Sequence, residues 1–325
     1  MLETAAGAGV IVCVSANPAL DVCLRVPRLT PGGVQRASAV RRSVGGKATH
    51  VALAARSLGA SVLLVGWFGG NTGERCQQQL QELGLRSVVV PTRCETRQNL
   101  GLLDDQACST EVLEPGGPVE RSEVEALLRA CSEVVAALGA GDALVLSGSL
   151  PAGAPLELFA ELVCLARRAR VPTFVDTSGA VLDATLEARP DWIKPNHEEA
   201  AQLVGSPVAD LPSAVAAAHA LRARGAARVV VSRGPEGMIV AAAAGAFEAK
   251  GPVATARSSV GCGDATLAGL AVAASRGASL VDTMKLAVAC GHANCRASVP
   301  GQLSFDLVER TLSSVRVAAL AGGCA

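Results

Sequence analysis

The sequence predicts an α/β fold in three layers, with helices on both faces of a mostly parallel central sheet and a small second β-sheet set over it as a lid. Three observations carry that expectation. Apolar, β-rich runs alternate with Ala- and Leu-rich helical segments over most of the chain, and such alternation builds parallel sheets with helices on both faces. Polar clusters recur where the apolar runs end, which is where ligands bind in open α/β sheets. Two segments, approximately 22–43 and 97–115, interrupt the alternation with short strands of their own. The expected organisation is one domain over 10–320 carrying those two lid segments, with 1–9 as an N-terminal tail.

In chain order, Val10 to Val14 reads as a buried first strand. Asn17-Pro18-Ala19-Leu20-Asp21 follows it, where a dinucleotide-binding fold would carry G-x-G-x-x-G; that pattern is absent. Pro27, Pro31, Gly32 and Gly33 break 22–43 into short strands and turns. Gly45-Gly46-Lys47 then opens a helix that Gly59 stops. This is not a P-loop: position 41 is Arg41 instead of glycine, and Ala48 stands where Ser or Thr is needed. It reads either as a glycine turn whose lysine holds an anionic group or as an ordinary exposed lysine in a first turn.

Ser61 to Val65 reads as a strand, Thr72 to Leu83 as a helix stopped by Gly84, and 87–90 as a further strand. Strands at 98–103 and 108–113 are joined by Asp104-Asp105, a hairpin signal. Ser122 with Glu125 three residues on reads as a capping box opening a helix. From there the alternation is regular. Strands at 143–146, 172–175, 192–194 and 228–231 end at Ser149, Asp176, Asn196 and Ser232, with helices near 155–169 and 212–224. Together with Asp21, these strand-end residues are expected to form one site. Two short strands follow, and the last helices are expected near 282–297 and 305–320.

The stretch Val260-Gly261-Cys262-Gly263-Asp264-Ala265 is the centre of the functional reading. Its glycines permit a turn that runs straight into an Ala- and Leu-rich helix, so backbone N–H groups gather at a helix N-terminus and attract an anion. Asp264, in the first turn, suits the acceptance of a proton from a hydroxyl attacking a phosphoryl group. The plainer alternative is that Asp264 only caps the helix.

Composition narrows the partners. With 29 basic and 29 acidic residues the net charge is zero. No basic run is longer than Arg41-Arg42 or Arg167-Arg168, so neither nucleic acid nor an anionic membrane is the expected partner. The eleven cysteines are odd in number and include no C-x-x-C. Most, such as Cys13, Cys164 and Cys290, lie in apolar stretches, which predicts a reducing, cytoplasmic setting without disulfides or zinc. No apolar run approaches the roughly 18 residues of a membrane span, and no signal peptide is evident.

With these motifs placed, residues 10–315 resemble the ribokinase-like (PfkB) carbohydrate kinases, within them the 1-phosphofructokinase and tagatose-6-phosphate kinase branch. V-G-C-G-D-A-T-L-A-G matches that family's G-A-G-D signature with Cys262 in place of Ala. Supporting elements are N-P-A-L-D, G-G-K at 45–47, E-T-R-Q-N, T-E-V-L-E-P-G, S-G-S-L-P-A-G, I-K-P-N-H-E-E and S-R-G-P-E-G. The resemblance implies Asp264 as catalytic base and the backbone of Gly261, Cys262 and Gly263 as an anion hole. It implies Asp21 on sugar hydroxyls, Gly45 and Gly46 as the turn beside the sugar, and Lys47 and Arg97 on a phosphate the substrate already carries. Ser149 either joins the substrate site or only braces its own turn. Lys194 and Asn196 would reach the phosphates of ATP, with Ser232, Gly234 and Gly237 lining the nucleotide site and Asn294 near the base. Glu199 would act on Mg²⁺ through water, or simply favour its helix N-terminus. His292 is expected to be structural or exposed.

One departure stands out. The family continues G-K-G-x-N-V-A, its Asn contacting the sugar; here Ala48 and His50 occupy the second Gly and the Asn. Imidazole is bulkier, can donate one hydrogen bond when neutral, and titrates near neutrality. The leading expectation is ATP- and Mg²⁺-dependent phosphorylation of fructose 1-phosphate to fructose 1,6-bisphosphate, as a cytoplasmic homodimer joined through its lid sheets. A tagatose-6-phosphate or fructose-6-phosphate kinase is the alternative within the enzyme class, and a catalytically silent sugar-phosphate sensor the alternative outside it.

Overall fold

The computed structural model describes residues 9–106, 109–252 and 258–320. Apart from Gly9, the expected tail therefore lies outside the described residues, as do Ala107 and Cys108 of the expected lid hairpin. The first half of the chain runs β1 (Val10–Ser15), β2 (Ala19–Val26), β3 (Ala39–Gly45), α1 (Lys47–Ser57), β4 (Ser61–Phe68) and α2 (Gly70–Glu82). It continues through β5 (Arg86–Pro91), β6 (Arg97–Asp104), β7 (Ser109–Leu113), α3 (Arg121–Ala136) and β8 (Ala143–Ser147). Next come α4 (Leu158–Arg168), β9 (Thr173–Asp176), α5 (Gly179–Glu187), β10 (Trp192–Ile193), α6 (His197–Val204), α7 (Leu211–Ala223) and β11 (Arg228–Ser232). The last elements are β12 (Met238–Ala242), β13 (Gly245–Lys250), α8 (Cys262–Ser275), α9 (Leu280–Asn294), α10 (Phe305–Leu312) and β14 (Arg316–Leu320).

Ten strands form the central sheet in the order β14-β13-β12-β11-β10-β9-β8-β1-β4-β5. From β11 to β5 neighbouring strands are parallel, and β12 to β14 finish the sheet antiparallel. Its central strands are apolar at successive positions because both faces are covered. In β1, Ile11 and Cys13 belong to one hydrophobic core and Val12 and Val14 to the other. Helices α1, α8 and α9 fill the first core, and α3, α4 and α7 the second. Alternate side chains leave opposite faces of a strand, so this partition is the three-layer arrangement the sequence predicts.

The small sheet has the order β3-β2-β6-β7. Strand β2 pairs antiparallel with β3 and parallel with β6. It begins at Ala19, earlier than expected, so Asp21 sits inside a lid strand and not at the end of a central one. The pairing sets Asp21 beside Asn99 of β6 and Ser43 of β3.

Three further expectations are corrected. The segment 305–320 is not one helix: α10 stops at Leu312 and 316–320 pairs with β13 as an edge strand. The Ala-rich Val-Ala-Ala-Leu sequence favours helix locally, but pairing to the sheet edge overrides propensity. The capping box of α3 is Glu120 with Glu123, and Ser122 lies within the first turn. Glu125 instead forms an i,i+4 ion pair with Arg121. Cys164 is exposed, on the outer face of α4.

Candidate active site

The N-terminus of α8 lies between two concavities. A cleft of about 550 Å³ opens beneath the small sheet, with Asp21, Arg41, Asn99, Glu111 and Pro300 among its lining. A groove of about 250 Å³ on the other side is lined by Ser232, Gly234, Gly237, Cys262, Gly263, Thr266 and His292. The glycine loop contributes Val260 to the first and Ser259 to the second. Gly261 has φ 77°, and a Cβ there would lie 2.8 Å from Cβ of Pro300, so both conformation and space demand glycine.

Asn294 braces this loop from below. Its Nδ2 donates to the Val260 carbonyl at 2.7 Å, and its Oδ1 accepts from the Gly301 N–H at 2.8 Å. Only 2% exposed, it supports the loop from beneath, and its Nδ2 lies 3.5 Å from the sulfur of Cys262, which lines the groove. One of the expected anion-hole amides has a partner within the loop. The Cys262 N–H is given to the Ser259 carbonyl at 3.2 Å. Among the described residues, the N–H groups of Gly261, Gly263 and Asp264 have no such acceptor and remain available at the helix end.

Asp264, 5% exposed, is held by His50. The ring Nδ1 lies 3.1 Å from Asp264 Oδ2, and Nε2 lies 2.9 Å from Asp21 Oδ2. Burial pushes the imidazole pKa down, but hydrogen bonds and charge from Asp21 and Asp264 outweigh this and lift it to about 10. The ring is therefore an imidazolium at neutral pH and donates from both nitrogens; the single hydrogen bond of a neutral ring does not describe it. Asn99 Nδ2 donates to the other Asp21 oxygen at 2.8 Å. A Cβ on Gly45 would fall 1.9 Å from Asp21 Oδ2, so that glycine is what lets the carboxylate lie against β3. Asp264 Oδ1 carries no protein partner among the described residues.

A second charge network joins Asp176, Lys194 and Lys47. Asp176 at the end of β9, 2% exposed, accepts from Lys194 at 2.9 Å and from Lys47 at 3.4 Å. Burial opposes its ionisation, yet the two ammonium groups hold its pKa below the usual carboxylate value. Asp176 in turn raises the Lys47 pKa against the cost of burial, helped by Asp264 and Glu199. Lys194 Nζ lies so close beneath the glycine loop that a Cβ on Gly263 would be 3.2 Å away. Asn196 caps α6 in a reciprocal box with Glu199, each side chain meeting the other's backbone N–H, at 2.8 and 2.9 Å. A lone backbone bridge to Ser232 sets Asn196 beside the end of β11.

Two residues predicted for the substrate site sit around the Asn17 turn. Arg97 donates to the Asn17 carbonyl from Nε and Nη2, at 3.2 and 3.1 Å, and to the Glu114 carbonyl from Nη1 at 2.7 Å. Ser149 Oγ accepts from Asn17 Nδ2 at 3.0 Å. Both brace that turn. Gly46 and Lys47 begin α1 at the same side.

Residues 11–302 match the model of the pfkB family carbohydrate kinases. The chain belongs to the pfkB family. A 1-phosphofructokinase of Xanthomonas campestris is 38% identical over 268 residues, covering 81% of this chain and 83% of that protein. A 1-phosphofructokinase of Rhodobacter capsulatus is 35% identical, covering 86% and 88%. Among solved structures, phosphofructokinase-2 from Escherichia coli in complex with fructose-6-phosphate superposes with TM-score 0.84 at 28% identity, covering 94% of this chain and 98% of that one. The fold is ribokinase-like, and the chain is a carbohydrate kinase, a phosphotransferase.

The pfkB assignment concerns the chain as a whole; the geometry adds residues that the sequence reading gave no role. Asp176 was placed only at a strand end, yet it gathers both lysines. Asn99 appeared only inside E-T-R-Q-N, yet it fixes Asp21, and its own Oδ1 has no partner. Pairing of β2 with β6 could have found it. Cys295 carried no sequence signal, since its partner Cys262 lies 33 residues away.

Proposed function

We propose that this pfkB kinase transfers the terminal phosphoryl group of ATP to the 6-hydroxyl of fructose 1-phosphate, giving fructose 1,6-bisphosphate and ADP. The observation carrying this reading is Asp264: buried at a helix N-terminus between cleft and groove, with Oδ2 tied to His50 and Oδ1 left unpaired. The hydroxyl oxygen attacks phosphorus, Asp264 takes its proton, and the bond to the ADP oxygen breaks. The Gly261, Gly263 and Asp264 amides face the oxygens of the migrating group. Lys194 meets the phosphates of ATP, and Lys47 the phosphate the sugar already carries, together with Arg97 at the Asn17 turn. The cleft beneath the small sheet takes the sugar. The small sheet covers the cleft and excludes water.

Mg²⁺ fits the residues present only in a solvent-bridged role. One Glu199 oxygen is committed to the Asn196 N–H, and no cluster of three ligating side chains exists among the described residues. A cation that keeps most of its waters and binds phosphates suits such a site. Glu199 would hold it, and it would neutralise phosphate charge.

The relatives named as 1-phosphofructokinases favour fructose 1-phosphate, while the fructose-6-phosphate complex of the Escherichia coli neighbour favours the rival sugar. ADP release measured across fructose 1-phosphate, fructose 6-phosphate and tagatose 6-phosphate tests the choice. The expected result is the highest kcat/KM with fructose 1-phosphate. Preference for either other sugar overturns the substrate, and no ADP release with any of them favours the silent sensor. We assign the chain to the cytoplasm as a homodimer through the small sheet, on the unpaired cysteines among the described residues and the exposed Val40, Val112 and Leu113 of that sheet. Light scattering tests the dimer.

A further inference from the structure

On the groove side of the glycine loop stands a pair of thiols that phosphoryl transfer does not use. Cys262 is the first residue of α8, and Cys295 caps the C-terminus of α9. Their sulfurs lie 3.1 Å apart, about 1 Å farther than in a disulfide. Both are half-buried and both line the groove, so a small solute reaches them. The other cysteines among the described residues do not share this setting. Cys13, Cys76, Cys131 and Cys290 are buried, and among the described residues no other two cysteine sulfurs are in hydrogen-bond contact.

We propose that Cys262 and Cys295 are an oxidation site, forming a reversible disulfide across the groove that switches phosphoryl transfer off. The contact prepares the pair for this chemistry. The two sulfurs share a hydrogen bond in which either can be the donor, so one keeps its proton while the other is eased towards the thiolate. The thiolate attacks first, and its partner keeps the proton until the second step.

With a hydroperoxide as oxidant, the thiolate sulfur of the pair attacks the peroxide oxygen and the O–O bond breaks. The leaving alkoxide or hydroxide takes a proton, and that cysteine becomes a sulfenic acid. The partner sulfur then attacks the sulfenic sulfur. The S–S bond forms, the S–O bond breaks, and hydroxide leaves with the partner thiol's proton as water. In sum, two thiols and one hydroperoxide give one disulfide, one alcohol or water, and one water. A dithiol reverses the bond by exchange.

The bond would pull on the residue directly before Gly263 and Asp264. Asn294, which neighbours Cys295, already ties the Val260 carbonyl to the Cys262 sulfur, at 2.7 and 3.5 Å. Closing the sulfurs by about 1 Å therefore moves the loop that supplies the anion-binding amides, and bridges the groove wall. The loss of activity rests on the proposed kinase function; formation of the bond does not.

The test treats reduced full-length protein with hydrogen peroxide, blocks residual thiols, and maps cross-linked peptides by mass spectrometry. Phosphotransfer is assayed in parallel, before and after dithiothreitol. We expect a Cys262–Cys295 peptide, at least a tenfold loss of rate, recovery with dithiothreitol, and slower cross-linking when ADP fills the groove. Cys295→Ser and Cys295→Ala, each compared with its own untreated rate, should form no such peptide and resist peroxide. Absence of the peptide at a dose that oxidises exposed Cys164 overturns the site, whatever the kinase assay gives. Complete cross-linking with the rate unchanged overturns the switch while leaving the kinase reading intact. Reduced protein inactive toward every sugar phosphate defeats the kinase reading, and the peptide map then decides the site alone.

Discussion

Replacing His50 with Gln removes a buried positive charge and keeps a hydrogen-bonding side chain. In the folded protein the ring faces Asp21 from β2 and Asp264 from α8, with Glu111 of β7 at longer range. Its pKa rises from 6.5 to about 10 on folding, which at 1.36 kcal/mol per unit amounts to about 5 kcal/mol. Breaking a buried ion pair costs about 3–5 kcal/mol by a separate route. A folded-state pKa above the unfolded value stabilises most at low pH. The contribution is complete below pH 6.5 and disappears as pH rises through about 10. Unfolding entropy scales with length, and for 325 residues each kcal/mol is worth about 1.5 °C in Tm. The expected gap between wild type and His50→Gln is thus about 4–7 °C at pH 6.5, shrinking towards zero near pH 10. Thermal melts of both proteins over that range read the difference, and other titrating groups cancel. A gap that stays constant with pH would refute the imidazolium bridge.

Asp264→Asn should lower kcat at least a hundredfold while sugar-phosphate and ATP binding, read by calorimetry, persist; one tenth of wild-type kcat would sink Asp264 as the base. Lys194→Met should leave Asp176 buried beside Lys47 alone and cost about 3–5 kcal/mol, seen as a lower Tm at pH 7. The Asp176 pKa is depressed in the folded state, so its contribution is present above its unfolded value of 3.8 and is lost as pH falls through the folded one; Asp176→Asn should flatten the acid limb of the stability profile. Gly45→Ala should drive a methyl into Asp21 and raise KM for the sugar phosphate at least tenfold with KM for ATP little changed; equal KM values would separate Asp21 from sugar binding.

The layered fold was legible because both signals it needs are local. Strand–helix alternation fixed the parallel sheet, and turn chemistry placed Ser149, Asp176, Asn196 and Ser232 at its strand ends. The edge strand at 316–320 was not legible, because Ala-rich sequence favours helix until a sheet edge offers hydrogen bonds. Asp21 was placed on the wrong sheet for a related reason: β2 starts only four residues after β1 ends, and no composition change marks the passage from sheet to lid. The glycine loop announced itself, but its bracing by Asn294 and its thiol contact join residues 32 or more apart in sequence. A periodicity argument has no access to such pairs.

His50 was read as a substitute for the Asn through which the family contacts the sugar, which put the identity of the sugar in question. The geometry redirects that inference. Both imidazolium nitrogens are committed to carboxylates, one on Asp21 and one on Asp264, so the ring has no donor left for a hydroxyl. In the proposed reaction, sugar contacts on this side come from Asp21, which the ring positions, and from Asn99, whose carbonyl oxygen has no protein partner. The change from Asn to His therefore alters how Asp264, the proposed base, and Asp21, the proposed sugar ligand, are held relative to each other. If so, His50→Asn should disturb kcat and the pH profile more than the ranking of sugars, whereas Asn99→Ala should change the ranking and leave the pH profile in place.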